Sequence, residues 1–231
     1  THNGSFAGAG GTVRFTGGIQ ALGPGASATV GDLEVAVTAI LNVDPAANYQ
    51  PGNTDITGGA LNVTGAADTI TSGTATQSAG TLGGAGTFAT TGSFGWTGGT
   101  MGDTGTTRVG GGLTLSGATT KLLTGTRTLV QSGGTGGWSL GQFTLGNGGA
   151  TFRNEATWNI TGGSRQISDT SNTGRCQNAA AGTINVALTG AAQTITIATG
   201  TVDNEGLIDV ALGTLTFLDD FQQTAGALRL S

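Results

Sequence analysis

A short motif recurs along the second half of the chain. Residues 152–160 read Phe-Arg-Asn-Glu-Ala-Thr-Trp-Asn-Ile, and residues 202–210 read Val-Asp-Asn-Glu-Gly-Leu-Ile-Asp-Val. Between them, 176–186 fits the same pattern with a two-residue insertion, and 130–140 fits it more loosely. The marker positions 131, 154, 178 and 204 are 23, 24 and 26 residues apart. A repeat of this length is too small to bury a core of its own, so its copies must stack on one another.

The composition favours strands and turns over helices. Glycine accounts for 46 of the 231 residues, threonine is frequent, and charged residues make up only 9%. Threonine, valine, isoleucine and aromatic residues fit pleated strands, and no window offers the Ala, Leu, Glu and Lys that exposed helix faces favour. Because this composition is uniform, we expect one continuous domain over residues 1–231.

Short apolar-polar-apolar segments are separated by glycine-rich corners. Leu61-Asn62-Val63 and Leu113-Thr114-Leu115 are examples, and each places two apolar side chains on one face of a strand. Glycine suits the corners because it accepts positive φ at no steric cost. The pattern predicts an all-β, right-handed parallel β-helix with roughly 20–26 residues per coil. Residues 23–53 hold all three prolines and repeat least, so we expect a projecting loop there.

The same alternation predicts which side chains form the core. The inward-facing set is Leu113, Leu115, Phe143, Leu145, Phe152, Trp158, Ile160, Ile184, Val186, Ile195, Ile197, Ile208, Val210, Leu215 and Phe217. Cys176 is the one cysteine, which excludes a disulfide within the chain. We expect it to be a small buried residue, with a link between subunits as the alternative.

Several segments resemble the repeats of bacterial secreted β-helix proteins. They are Leu113-Thr114-Leu115-Ser116-Gly117, Arg127-Thr128-Leu129-Val130, Gly146 to Phe152, Gln77 to Leu82 and Gln223 to Leu228. Such repeats occur in autotransporter-passenger and filamentous-haemagglutinin-like surface proteins. The resemblance covers most of 54–231 and implies a β-helix outside the bacterial cell. It implies little about activity, because these arrays serve as adhesins, stalks and fibres alike.

Candidate catalytic groups are few. Asp32 and Glu34 share one strand face, as do Asp203 and Glu205, and Asp219-Asp220 is an adjacent acidic pair. We interpret these carboxylates as surface groups, although a β-helix polysaccharide lyase or hydrolase would need such acids across a groove. The one histidine is His2. We predict no catalytic residue, no cofactor and no metal site.

Two further patterns each allow a functional interpretation. Thr-x-Thr pairs could form an ice-binding face, but their irregular intervals predict that they do not fall in one file. Trp96, Trp138 and Trp158 could stack on sugars, but their apolar neighbours predict core positions. The net charge of −5 and the scattered arginines disfavour nucleic acid and anionic membranes as partners, and no apolar run is long enough to insert into a membrane.

One position in three successive repeats holds asparagine: Asn154, Asn178 and Asn204. Asparagine suits corners, and amides stacked once per turn can hydrogen-bond along the axis. We therefore predict a structural asparagine ladder with Cα atoms about 5 Å apart.

Both ends of the chain read as ordinary coils without a capping helix. Bare terminal coils expose strand edges and core. We therefore expect coaxial end-to-end stacking, on copies of the chain or on adjacent repeats, through Val13, Phe15, Leu228 and Leu230. The leading functional hypothesis is a non-catalytic structural or adhesive shaft at the bacterial cell surface, with surface glycans as a further class of partner. The alternatives are a carbohydrate-active β-helix and, third, an ice-binding solenoid.

Overall fold

The computed structural model describes residues 1–44 and 46–231. These residues form a parallel β-solenoid of about 11 turns with about 21 residues per turn and, in this part of the chain, no helix. The predicted fold class is thereby confirmed, while the right hand of the coil stays a prediction. At ~4.8 Å between stacked strands, the turns build a rod roughly 50 Å long.

Three parallel sheets form the rod: sheets I and II run its length, and sheet III begins at β8. Sheet I contains β1 (Ser5–Phe15), β3 (Ser27–Val35), β6 (Asn53–Ile56), β9 (Thr74–Gln77), β12 (Phe94–Trp96), β15 (Leu113–Leu115), β18 (Thr135–Trp138), β21 (Thr157–Gly162), β24 (Thr183–Leu188), β27 (Leu207–Leu212) and β30 (Ala227–Leu230), with β5 (Asn48–Tyr49) also paired to β3. Sheet II contains β2 (Ile19–Leu22), β4 (Ile40–Val43), β7 (Ala60–Val63), β10 (Thr81–Gly84), β13 (Gly99–Met101), β16 (Lys121–Leu123), β19 (Phe143–Leu145), β22 (Arg165–Asp169), β25 (Thr194–Ala198) and β28 (Thr214–Phe217). Sheet III contains β8 (Thr69–Ser72), β11 (Thr87–Thr90), β14 (Thr106–Val109), β17 (Thr128–Gln131), β20 (Thr151–Asn154), β23 (Arg175–Asn178), β26 (Thr201–Asn204) and β29 (Asp220–Gln223).

The strands alternate between core and surface. In β7, Leu61 and Val63 are buried, while Asn62 between them is half-buried on the outer face. The parallel register places Leu61 beside Leu41 and Leu82, so like positions form files along the rod. Each turn contributes one residue to such a file. The sequence repeat is therefore close in length to one turn of the solenoid.

Side chains from all three sheets meet in one continuous core. Twelve members of the predicted core set are buried, and Ile184, Leu215 and Phe217 are partly buried against the same cluster. The prediction that these residues, and not their neighbours along the strands, face the core is confirmed. Aromatic rings provide much of the volume, with Trp138 and Trp158 stacked at 6.1 Å and Trp96 edge-on to Phe143 at 5.8 Å.

Glycine at the corners permits close stacking of successive turns. Gly80 lies between β9 and β10 with φ +67°, a conformation that costs glycine little. A Cβ at Gly80 would lie 2.5 Å from the carbonyl oxygens of Gly58 and Gly59 in the turn before. The corner therefore excludes any side chain.

Residues 46–53 do not form the projecting loop that the sequence predicts within 23–53. Instead β5 pairs with the first half of β3, and Tyr49 is only 3% exposed. Its hydroxyl group hydrogen-bonds Thr54 Oγ1 at 2.8 Å. Burial of this aromatic ring draws the segment onto the solenoid, a pairing that the irregular sequence did not reveal. Pro45 lies outside the described residues.

Candidate functional site

The asparagines at the repeat markers lie in one file at the end of sheet III. Parallel register pairs Asn154 with Asn178 and Asn178 with Asn204. Asn154 Nδ2 donates to Asn178 Oδ1 at 2.9 Å, and Asn178 Nδ2 donates to Asn204 Oδ1 at 2.8 Å. All three side chains are buried. The arrangement is a chain of amide hydrogen bonds along the rod axis, inside the corner between sheets III and I. The predicted Cα spacing stays a prediction.

Each asparagine also holds the following turn. Asn154 Nδ2 reaches Thr183 O at 3.2 Å, Asn178 Nδ2 reaches Leu207 O at 3.0 Å, and Asn204 Nδ2 reaches Ala227 O at 3.2 Å. These acceptors begin successive strands of sheet I. The file thus ties the end of each sheet III strand to the start of a sheet I strand one turn on, which is a structural use of a buried polar group.

Two of the six acidic residues considered as candidate catalytic groups, Glu34 and Asp203, form ion pairs with arginines of a neighbouring turn, and Asp209 does the same. Arg14 pairs with Glu34 at 2.8 Å. Arg175 pairs with Asp203, whose side chain is nearly buried, and Arg229 forms a two-pronged contact with Asp209. Register explains the pairing, because Arg14 lies beside Glu34 and Asp209 beside Arg229 in sheet I. These carboxylates link turns across the outer face.

Single threonines form one file on sheet III, although the Thr-x-Thr pairs themselves are spread over all three sheets, as their irregular intervals predict. Strand register aligns the first residues of five successive strands, which are Thr69, Thr87, Thr106, Thr128 and Thr151. The intervals between threonines differ because the corners differ in length, so sequence spacing concealed the alignment. The neighbouring file is mixed and runs through Ala89, Arg108, Val130 and Arg153, of which Val130 is buried.

The tryptophans and the cysteine belong to the core. Trp96, Trp138 and Trp158 are at most 1% exposed, so core filling is confirmed and stacking on sugars is excluded for these rings. Cys176 is also buried, as predicted, and burial raises the pKa of its thiol to about 12. A thiol in this state is a poor nucleophile, which disfavours a covalent link between subunits.

The residues considered for end stacking differ between the two ends. In the first coil Phe15 is buried and Val13 is half-buried. In the last coil Leu228 is 44% exposed and Leu230 is 81% exposed. These two leucines line an open cleft with Val210, Leu215 and Phe217. The apolar surface at the C-terminal coil is thus the more open one.

A pair of cations escaped the sequence reasoning. Lys121, the one lysine of the chain, begins β16 and faces inward beside Phe143 of the next turn. Its ammonium group donates to Gly117 O at 2.6 Å and Leu140 O at 3.0 Å. Burial, together with the charge of Arg165, lowers the pKa of Lys121 to about 8. The sequence did contain a signal for this buried cation: in Lys121-Leu122-Leu123, lysine stands at a position where the strand pattern predicts an apolar residue.

Arg165 lies across the face of Trp138. Its Cζ is 5.2 Å from the ring centroid, and its Nε donates to Gly163 O at 3.1 Å. Burial lowers the pKa of this guanidinium group as well. Its Nη1 is buried and has no acceptor among the described residues. A buried donor without an acceptor costs free energy, so this atom marks an incomplete environment.

Residues 1–44 and 46–231 hold no cluster of three or more histidine, cysteine or acidic side chains suited to a metal ion. The same residues include no helix that could cross a membrane. Comparison of the chain with protein-family models, with curated proteins and with solved structures found no match.

Proposed function

We propose that the chain is a non-catalytic structural or adhesive shaft of a bacterial cell-surface or extracellular protein. The observation that carries the proposal is the continuous parallel pairing of strands from turn to turn along the rod, which persists through register shifts in β1 and between β24 and β27. Such a body is stiff along its axis and holds whatever it carries at a fixed distance. The extracellular bacterial location rests on the repeat resemblance alone.

The polar side chains support a structural role. The asparagine file bonds turn to turn inside the rod, and Glu34, Asp203 and Asp209 bond turn to turn outside it. A carboxylate held by an arginine is poorly placed to shuttle protons, because the ion pair stabilises its charged form. These groups therefore serve cohesion better than they would serve a carbohydrate-active site.

The second part of the proposal is coaxial stacking. Sheets I and II both have open edges in the last coil, at β30 and β28, and Leu228 and Leu230 are exposed beside them. A further coil, from a second copy or from adjacent repeats, would pair these edges and cover the leucines. A head-to-tail contact of this kind does not close and therefore extends into a filament.

Electron microscopy and sedimentation over a range of protein concentrations test stacking between copies. We expect short rods in multiples of the monomer length, and Leu230→Asp should abolish them because it places a charge on the contact. Val37→Asp is the matched control, since Val37 is exposed on the side of the rod, where an added charge should not matter. A monodisperse monomer at every concentration would exclude stacking between copies.

Ice binding is a second candidate that the threonine file favours. Five threonines one turn apart present methyl and hydroxyl groups at the strand spacing. The mixed neighbouring file, with Arg108 and Arg153, makes the face less regular than an ice surface requires. Thermal hysteresis of the purified protein, compared with that of Thr106→Lys at the centre of the file, tests this function. Ice binding through the file predicts thermal hysteresis for the wild type and its loss in the variant.

A further inference from the structure

A cleft crosses the corner between sheets I and II in the middle of the rod. Three successive turns form it, through 118–120, 140–142 and 163–165. Its volume of about 410 Å³ lies in the range of roughly 300–1,000 Å³ typical of small-molecule sites. Arg165 lines the cleft, and Lys121 lies directly behind its wall, where a Cβ on Gly141 would come within 2.6 Å of the ammonium nitrogen.

The two cations lack a counter-charge. Among the ion pairs of the described residues, none involves Lys121 or Arg165. Arg165 uses only its Nε toward a protein acceptor, which leaves both terminal nitrogens of the guanidinium group free of protein partners in the part of the chain described. A buried ammonium group and a half-buried guanidinium group without an anion are costly in a protein, and an anion in the cleft would offset that cost.

The rest of the lining suits a sugar. Thr120, Gln142 and Ser164 supply hydroxyl and amide groups at the rim. Leu140, which is 51% exposed, offers an apolar surface on which a pyranose ring can rest. A guanidinium N–H donates a strong, charge-assisted hydrogen bond to a carboxylate, and Nη2 of Arg165 is the unpartnered terminal nitrogen that is not buried.

We infer that this cleft binds an acidic sugar, with the carboxylate of a uronic acid on the guanidinium group of Arg165 and the ring against Leu140. The ammonium group of Lys121 strengthens the positive potential from behind the wall. The site recognises one carboxylate, so it does not require the extended basic surface that nucleic acids need. The inference goes beyond the shaft function and does not depend on it, since the cleft lies on the side of the rod and away from its ends.

Trp138 provides a local reporter. Its ring lies under Arg165, and its indole N–H donates to Gly141 O, in the cleft wall, at 3.0 Å. A ligand on Arg165 should therefore shift the indole N–H resonance of Trp138. We would titrate the folded 231-residue chain with D-glucuronate and D-galacturonate, with D-glucose as the neutral sugar and acetate as the carboxylate without a ring.

The expected result is a saturable shift of Trp138 with either uronate, a much weaker one with acetate and none with glucose. Arg165→Gln should weaken uronate binding by about tenfold or more, because a charge-assisted hydrogen bond and the positive charge are lost. Arg14→Gln is the matched control: it removes the same charge from a side chain paired with Glu34 on another face, and it should bind like the wild type. Lys121→Met should weaken binding by a smaller factor.

Several outcomes would overturn the inference. Equal affinities for Arg165→Gln and Arg14→Gln would remove the role of Arg165. Shifts confined to Trp96 or Trp158 would place any binding elsewhere. Acetate that binds as tightly as the uronates would refute the sugar part, and no saturable shift below about 10 mM would refute the site altogether. Since Lys121→Met alters a buried group and can fail to fold, the decision rests on the Arg165 and Arg14 pair.

Discussion

Truncation of the middle asparagine of the ladder gives the sharpest test of what holds the turns together. Asn178 accepts a hydrogen bond from Asn154 at 2.9 Å and donates to Asn204 Oδ1 at 2.8 Å and Leu207 O at 3.0 Å. Its side chain is 2% exposed, so water cannot readily replace these partners. Asn178→Ala removes all three bonds and leaves the backbone register unchanged.

The size of the effect follows from which partners are left alone. Asn154 Nδ2 keeps its bonds to Ala156 O at 2.9 Å and Thr183 O at 3.2 Å. Asn204 Oδ1 and Leu207 O each lose the side-chain donor that Asn178 supplied. A buried acceptor without a donor costs about 1–3 kcal/mol. We therefore expect the free energy of unfolding to fall by about 4 kcal/mol, including the small cavity left by the side chain.

Asn185→Ala is the matched control. Asn185 lies seven residues further on, in the adjoining strand β24, and donates to Asn159 Oδ1 at 2.8 Å. This pair lies on the outer face and is only partly buried, so water can satisfy both groups after truncation. The expected loss is about 0.5–1 kcal/mol. Urea unfolding followed by circular dichroism measures the free energy of unfolding of both variants. The two positions lie in the same region of the repeat array, so both report on the unfolding of the same cooperative unit.

The reasoning is refuted if the two variants lose stability to within about 0.5 kcal/mol of each other, which is the usual uncertainty of such comparisons. Equal losses would mean that burial of the ladder has no energetic consequence. A larger loss for Asn185→Ala would assign turn-to-turn cohesion to the outer face instead.

Three further outcomes are expected. Burial acts to raise the pKa of Asp169, but hydrogen bonds from Ser171 and Gly174 outweigh it and hold the pKa below its ordinary value. The ionised carboxylate therefore stabilises the fold above about pH 4, and this stabilisation is lost as the pH falls through the folded-state pKa. Asp169→Asn should make the melting temperature less dependent on pH in that acid range. Arg127 is buried and donates to Gly102 O and Gly84 O, so Arg127→Met should lower the free energy of unfolding by about 3 kcal/mol in a urea titration, and an unchanged midpoint would contradict this. Cys176 should react with a thiol reagent only on unfolding, and rapid labelling of the native protein would contradict its burial and raised pKa.

Much of the fold could be predicted because the solenoid repeats one local rule. Apolar side chains such as Leu113 and Leu115 alternate with Thr114, and this pattern alone specifies strand, face and core. The spacing of the marker residues then indicates the turn length, because neighbours in one file are one turn apart. Asn154 and Asn178 are 24 residues apart in sequence, and they are direct neighbours in sheet III.

What escaped prediction depends on the variable corners. Thr69 and Thr87 are 18 residues apart, whereas Thr128 and Thr151 are 23 apart, yet both pairs are neighbours in one file. Corners absorb the difference without disturbing the strands, so equal spacing in sequence is a poor guide to alignment in space. The same corners gather Arg165 and Lys121 from residues 44 apart in sequence.

The buried cations show what kind of information a repeat pattern cannot provide. Lys121 occupies an inward file beside Gly99 and Phe143, where the alternation predicts an apolar or small side chain. Arg127 is likewise fully buried at a corner, but its guanidinium group is satisfied by carbonyl oxygens of two earlier turns and by Thr107 Oγ1. Arg165 differs from Arg127 in this respect, because its Nη1 has no such acceptor among the described residues. A solenoid that satisfies one buried cation with its own carbonyl groups could satisfy another in the same way. The Nη2 of Arg165, which is not buried, likewise makes no hydrogen bond to the described residues, so this residue is the first place to search for binding chemistry on this rod.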